Sequence, residues 1–119
     1  VLDGKLYVVG GRGGGAPSDL VERYDFATKA CEAVAPMATP RESHAVAVLD
    51  GKLYAVGGFN ADEGILSSVE RYDPATNAWE AVAPMAEART FHAVAVLDGK
   101  LYAAGGYNHN NGDLSSVER

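Results

Sequence analysis

His44-Ala-Val-Ala-Val-Leu-Asp-Gly-Lys-Leu-Tyr-Ala-Val-Gly-Gly58 decides how the rest of the chain is read. Residues 44–49 are apolar on both faces, as an innermost and fully buried strand would be. Asp50-Gly51 has the chemistry of a two-residue type I′ turn, so residues 52–56 return as a second strand. Gly57-Gly58 stops that strand, at a place where a side chain would be in the way or φ must be positive. Outward from there, a polar, glycine-containing loop over 60–64 leads to a third strand over 68–73. Asp73-Pro-Ala-Thr-Asn77 is a turn by composition. The outermost strand spans 78–82, and Pro84 ends it. We label these four strands a to d.

The same unit recurs. Val-Leu-Asp-Gly-Lys-Leu-Tyr stands at 1–7, 48–54 and 96–102, and Val-Glu-Arg-Tyr-Asp at 21–25 and 69–73. Ala-Pro-Met falls at 35–37 and 83–85, giving a period of 48 residues that is one shorter only between Gly11 and Val21. The 119 residues therefore hold about two and a half units: strands b-c-d over 1–42, a complete unit over 43–90, and strands a-b-c over 91–119. No stretch carries helical periodicity, so the fold class is all-β, in repeated four-stranded antiparallel sheets.

Composition removes several function classes. A net charge of -6 disfavours DNA, RNA and anionic membrane surfaces as partners. No apolar run approaches the length of a membrane span. The single Cys31 excludes an internal disulfide framework and a multi-cysteine zinc cage, and fits a reducing, cytoplasmic setting.

Four strands per unit, a Gly-Gly doublet after the second, Tyr24 and Tyr72 in the third and Trp79 in the fourth resemble the kelch repeat. Leu-Tyr-Ala-Val-Gly-Gly, Ser-Val-Glu-Arg-Tyr-Asp-Pro-Ala-Thr and Val-Ala-Pro-Met resemble the kelch-like proteins in particular. In those, a six-bladed propeller presents substrates to a cullin-RING ubiquitin ligase, with BTB and BACK domains upstream. The resemblance implies a partial kelch β-propeller acting as a protein-protein interaction module, without cofactor, that reaches a cullin through domains outside this chain. Cys31 departs from the pattern, standing where the next unit has Trp79. Ten strands do not close a ring, so a piece of a larger propeller is expected. A homo-oligomeric ring is the alternative if the chain is complete.

The units can be compared with each other. Residues 69–98 differ from 21–50 at seven positions and residues 96–119 from 48–71 at six, and nine of these thirteen differences fall in the b–c and d–a loops. Alternating strand direction brings those loops to one end of every blade, as expected when a rigid frame carries recognition loops. Phe59, Phe91 and Tyr107 are aromatics there, the residue type that anchors interfaces. Ser43, Asn60, Asn108 and His109 offer hydrogen bonds, and Arg12 follows its Gly-Gly where later units have an aromatic. In kelch-like adaptors the residue after Gly-Gly and the residue before strand a contact bound peptide. That resemblance puts Arg12, Phe59, Tyr107, Ser43 and Phe91 at the front. Arg41 and Arg89 are expected to tie the blade together through backbone carbonyls instead.

Catalysis finds little support. His44 and His92 recur once per unit with no second ligand at metal spacing. Cys31 replaces a packing aromatic and is expected to be a buried or half-buried small hydrophobe. Gly13-Gly14-Gly15 lacks the Lys-Ser/Thr and the helix of a phosphate loop. Kelch propellers do include enzymes, such as galactose oxidase and sialic acid mutarotases, but the copper set of the former is not displayed here. A scaffold binding actin or another protein, without a ligase role, is the remaining alternative.

Overall fold

The computed structural model describes residues 2, 4–13, 16–110, 112–114 and 116–118; for Arg12–Gly13 and Ala16–Pro17 it describes the backbone alone. The first unit contains β1 (Lys5–Val9), β2 (Arg12–Gly13), β3 (Ala16–Pro17), β4 (Val21–Asp25) and β5 (Ala30–Val34). The second contains β6 (Ala45–Leu49), β7 (Lys52–Val56), β8 (Phe59–Asn60), β9 (Gly64–Ile65), β10 (Val69–Asp73) and β11 (Ala78–Val82). The third contains β12 (Ala93–Leu97), β13 (Lys100–Ala104), β14 (Tyr107–Asn108), β15 (Gly112–Asp113) and β16 (Val117–Glu118).

The long strands form three antiparallel sheets, ordered β1-β4-β5, β6-β7-β10-β11 and β12-β13-β16. In the complete middle sheet, β6 is strand a, β7 is b, β10 is c and β11 is d. The hairpin turns are as the sequence predicts: Asp50 (φ 52°) and Gly51 (φ 72°) are both left-handed, as type I′ requires. Asp73 Oδ1 accepts from Ala75 N at 2.9 Å and closes the c–d turn.

Two expectations change. The b–c connection is more than a polar loop: β8 and β9 pair Phe59 with Ile65 and Asn60 with Gly64. The same two-stranded ribbon recurs as β2-β3 and β14-β15. Strand a is not fully buried either. It is half-buried in β6 and mostly exposed in β12. Strand a stands at the edge of the second and third sheets, and among the described residues no further strand pairs beyond β6 or β12.

Stability comes from the seams between sheets. Tyr7, Val9 and Val34 of the first sheet face Leu53, Ala55 and Tyr72 of the second. Val56, Val69 and Val82 of the second face Val94, Leu101 and Ala103 of the third. Each strand of the middle sheet thus buries alternate residues against opposite neighbours. Trp79 closes the first seam, with Nε1 donating to the Ala35 carbonyl at 2.8 Å. Its ring lies 5.3 Å from that of the fully buried Tyr72. The Gly-Gly doublet meets both of its requirements. A Cβ on Gly57 would sit 2.6 Å from the Arg89 carbonyl, and one on Gly58 2.7 Å from that of Glu42, while both have positive φ.

Candidate functional site

Alternating strand direction sends the b–c ribbons and d–a loops to one end of the molecule, where they are stitched together. Glu42 and Phe59 exchange both backbone hydrogen bonds, at 3.0 and 2.9 Å, and Thr90 and Tyr107 repeat the pattern one unit later. Across the seam the Ser43 carbonyl accepts from Phe91 N at 3.0 Å and from Thr90 Oγ1 at 3.3 Å.

Between these two stitches lies an apolar groove of about 230 Å³. Ser43 and Phe59 contribute from the second unit, and Phe91, Tyr107 and His109 from the third. Five of the eight residues expected to contact a partner are therefore neighbours around one concave surface. Phe91 stands 75% exposed, with a left-handed backbone (φ 55°), a conformation that is costly for a bulky side chain. Tyr107 and His109 pack edge to face at 5.6 Å, and Tyr107 Oη lies 3.3 Å from His109 Nδ1.

Asn60 and Asn108 are not brought into the groove. Both are buried, and their amides are used internally: Asn60 Nδ2 donates to the Pro40 carbonyl at 3.0 Å and Asn108 Nδ2 to that of Ala88 at 2.9 Å. They pin each d–a loop to the following ribbon. Arg12 takes the Phe59 position in β2, but its side chain lies outside the described residues. The groove also enlists Glu42, Ile65 and Thr90. Each of them differs from its counterpart in the neighbouring unit, which was the available signal.

Arg41 and Arg89 are structural clamps. Arg41 Nη1 donates to the carbonyls of Gly57 (2.8 Å) and Ser68 (2.9 Å), and Nη2 reaches Glu70 Oε2 at 3.1 Å. Glu70 also accepts from Ala38 N at 2.8 Å and Thr39 N at 3.2 Å, so one carboxylate holds the incoming loop. Arg89 repeats this with Gly105, Ser116 and Glu118.

The groups considered for catalysis sit elsewhere or are poorly activated. Burial, helped by the nearby Arg41 and Arg89 charges, holds His44 and His92 below the ordinary histidine value, favouring neutral imidazoles. Cys31 is exposed, a correction to the expected packing role. Sheet one presents that face to no other sheet among the described residues. Partial desolvation and the Glu22 carboxylate, 3.5 Å from Sγ, raise its pKa, the opposite of what activates a thiolate. Among the described residues no group of three or more His, Cys, Asp or Glu side chains could hold a metal ion. Among the described residues there is no helix long and apolar enough to cross a membrane.

Radially packed antiparallel sheets that present loops at one end define a protein of the β-propeller class. The Kelch motif matches residues 1–38, 40–86 and 88–119, and the chain belongs to the kelch-repeat family. It is 39% identical to human Kelch-like protein 33 over 57% of this chain and 13% of that protein. It is 44% identical to zebrafish (Danio rerio) Kelch-like ECH-associated protein 1A over 51% of this chain and 11% of that one. Putative protein tag-53 of Caenorhabditis elegans is 41% identical over 50% of this chain and 5% of its own length. The solved structure of YjhT superposes with a TM-score of 0.79 at 28% identity, covering 92% of this chain and 33% of that one. The chain thus spans a small fraction of the curated relatives it matches.

Proposed function

We propose that this chain is a protein-interaction module whose contact surface is the groove between the second and third sheets. The observation that carries the reading is Phe91: a large aromatic, 75% exposed, held left-handed beside an apolar hollow at the diversified end. Exposed aromatics on rigid frames are what interface hot spots are made of, and the backbone strain is tolerated where the side chain is used. Its counterpart Ser43 shares the left-handed backbone, so Phe91→Ser respects the fold.

Affinity purification with the full-length protein tests this. Partners recovered with the unaltered protein should be lost with Phe91→Ser and kept with Leu97→Ser, a change at another exposed apolar residue at the a–b end. Equal recovery with both variants overturns the reading.

The finer reading is a substrate-recruiting propeller of a cullin-RING ubiquitin ligase adaptor in the cytoplasm, with blades dividing at 42/43 and 90/91. It is supported by the likeness to proteins named Kelch-like. A cullin that co-purifies with the full-length protein, independently of Phe91, is the expected result; failure to recover one removes the ligase role and leaves the interaction module.

A further inference from the structure

The two ends of the molecule differ in charge. All four lysines lie at or beside the a–b and c–d turns: Lys5, Lys52 and Lys100 open strands b, and Lys29 sits in a c–d turn. At the opposite end Arg41 and Arg89 are each 1% exposed and committed to Glu70 and Glu118. Among the described residues no exposed lysine or arginine side chain lies at the groove end. Carboxylates do. Asp62 and Glu63 are exposed at the tip of the ribbon that carries Phe59 and Ile65, and Asp113 is exposed directly across the strand pair from Tyr107. The groove itself is apolar, built on Phe59, Ile65, Phe91 and Tyr107.

An apolar hollow whose surrounding loops carry exposed carboxylates selects by both features. A large aliphatic or aromatic side chain removes the hollow from water. Cationic neighbours of that side chain meet a favourable potential, while anionic ones are repelled. We infer that the groove takes a peptide segment with one large apolar residue flanked by lysine or arginine. This rests on the proposed reading of the groove as the contact surface and adds the chemistry of what fills it. Loop charges act mainly through a screened potential, so the preference is a matter of several-fold to about tenfold and shrinks with salt.

The test uses three fluorescein-labelled heptapeptides with a central leucine flanked by lysines, glutamines or glutamates, titrated by anisotropy against the full-length protein. In about 20 mM salt the lysine-flanked peptide should bind about tenfold tighter than the glutamate-flanked one, with glutamine between, and the spread should narrow in about 500 mM salt. Asp62→Asn with Glu63→Gln should reduce the ratio between the lysine and glutamine peptides several-fold, and Phe91→Ser should weaken all three. Equal affinities, a preference for glutamate, or no binding of any peptide overturns the inference. If Phe91→Ser weakens the peptides while no charge preference exists, only the inference falls. If binding ignores Phe91 altogether, the groove reading falls with it.

Discussion

Leu53 and Leu6 hold the same place in consecutive sheets, yet one is 3% exposed and the other 43%. Ala55 and Val8 show the same contrast, 0% against 59%. The strands are alike in sequence and in their register against strand c, although β7 also pairs with β6 while β1 pairs with no strand but β4 among the described residues. For the faces that carry these side chains, what differs is the neighbouring sheet. Leu53 faces the first sheet, whereas no sheet among the described residues covers Leu6. The two seams differ likewise. Where Trp79 packs against Val21 and Met37, the counterparts Val69 and Met85 line a hollow of about 260 Å³ in the second seam. In this architecture the strand dictates which face is apolar, and the adjoining blade supplies the burial.

The sharpest way to break that comparison is to cut the clamps between units. Arg41 and Glu70 are 1% and 5% exposed, while Glu118, the partner of Arg89, is 21% exposed. Arg41→Ala leaves a buried carboxylate uncompensated and should cost about 3–5 kcal/mol in urea unfolding. Arg89→Ala leaves a carboxylate that water can reach and should cost roughly half as much. Equal losses would mean the two seams are equally closed in solution.

Leucine truncation comes next. Leu53→Ala should destabilise by about 2–5 kcal/mol, because it opens a cavity among Tyr72 and its neighbours. Leu6→Ala should stay within about 0.5 kcal/mol. Comparable costs would show that the Leu6 face is covered in the protein as it exists.

Much of this was legible in advance because the repeat does the work twice. The four-strand unit, the Asp-Gly turns and the Gly-Gly stops follow from local chemistry at residues such as Asp50 and Gly57. The groove was legible through differences: Ser43 against Phe91 and Phe59 against Tyr107 mark positions that packing does not dictate. Asn60 and Asn108 escaped that logic. They are identical in both units because they are structural, each amide pinning a loop to a ribbon that composition alone presented as polar. Strand a misled for a different reason. Residues 45–49 and 93–97 have one sequence, AVAVL, and two burial patterns, so their exposure is set by their surroundings.

A glycine pair separates seam from turn at intermediate size. Gly57 and Gly105 share a positive φ (61° and 69°), so alanine at either position costs about 1–2 kcal/mol of backbone strain. Gly57→Ala adds a clash with the Arg89 carbonyl and the His92 ring, bringing the expected loss to about 3 kcal/mol. At Gly105 the nearest atom to a new Cβ is 3.6 Å away, so only the conformational cost remains. Equal losses would place a further packing partner over Gly105.

The smallest effect has the opposite sign. Phe91 keeps its left-handed backbone beside the Ser43 carbonyl, and asparagine tolerates that conformation far better than an aromatic does. Phe91→Asn should therefore stabilise the fold by up to about 1 kcal/mol, since the lost side chain was mostly in water. The same change should weaken partner binding at the groove. Both readouts moving in these opposite directions would mark Phe91 as a residue kept for contact at a cost in stability. A loss of stability would mean instead that its ring closes the seam, as Trp79 does one unit earlier, and the difference between groove and seam would disappear at that position.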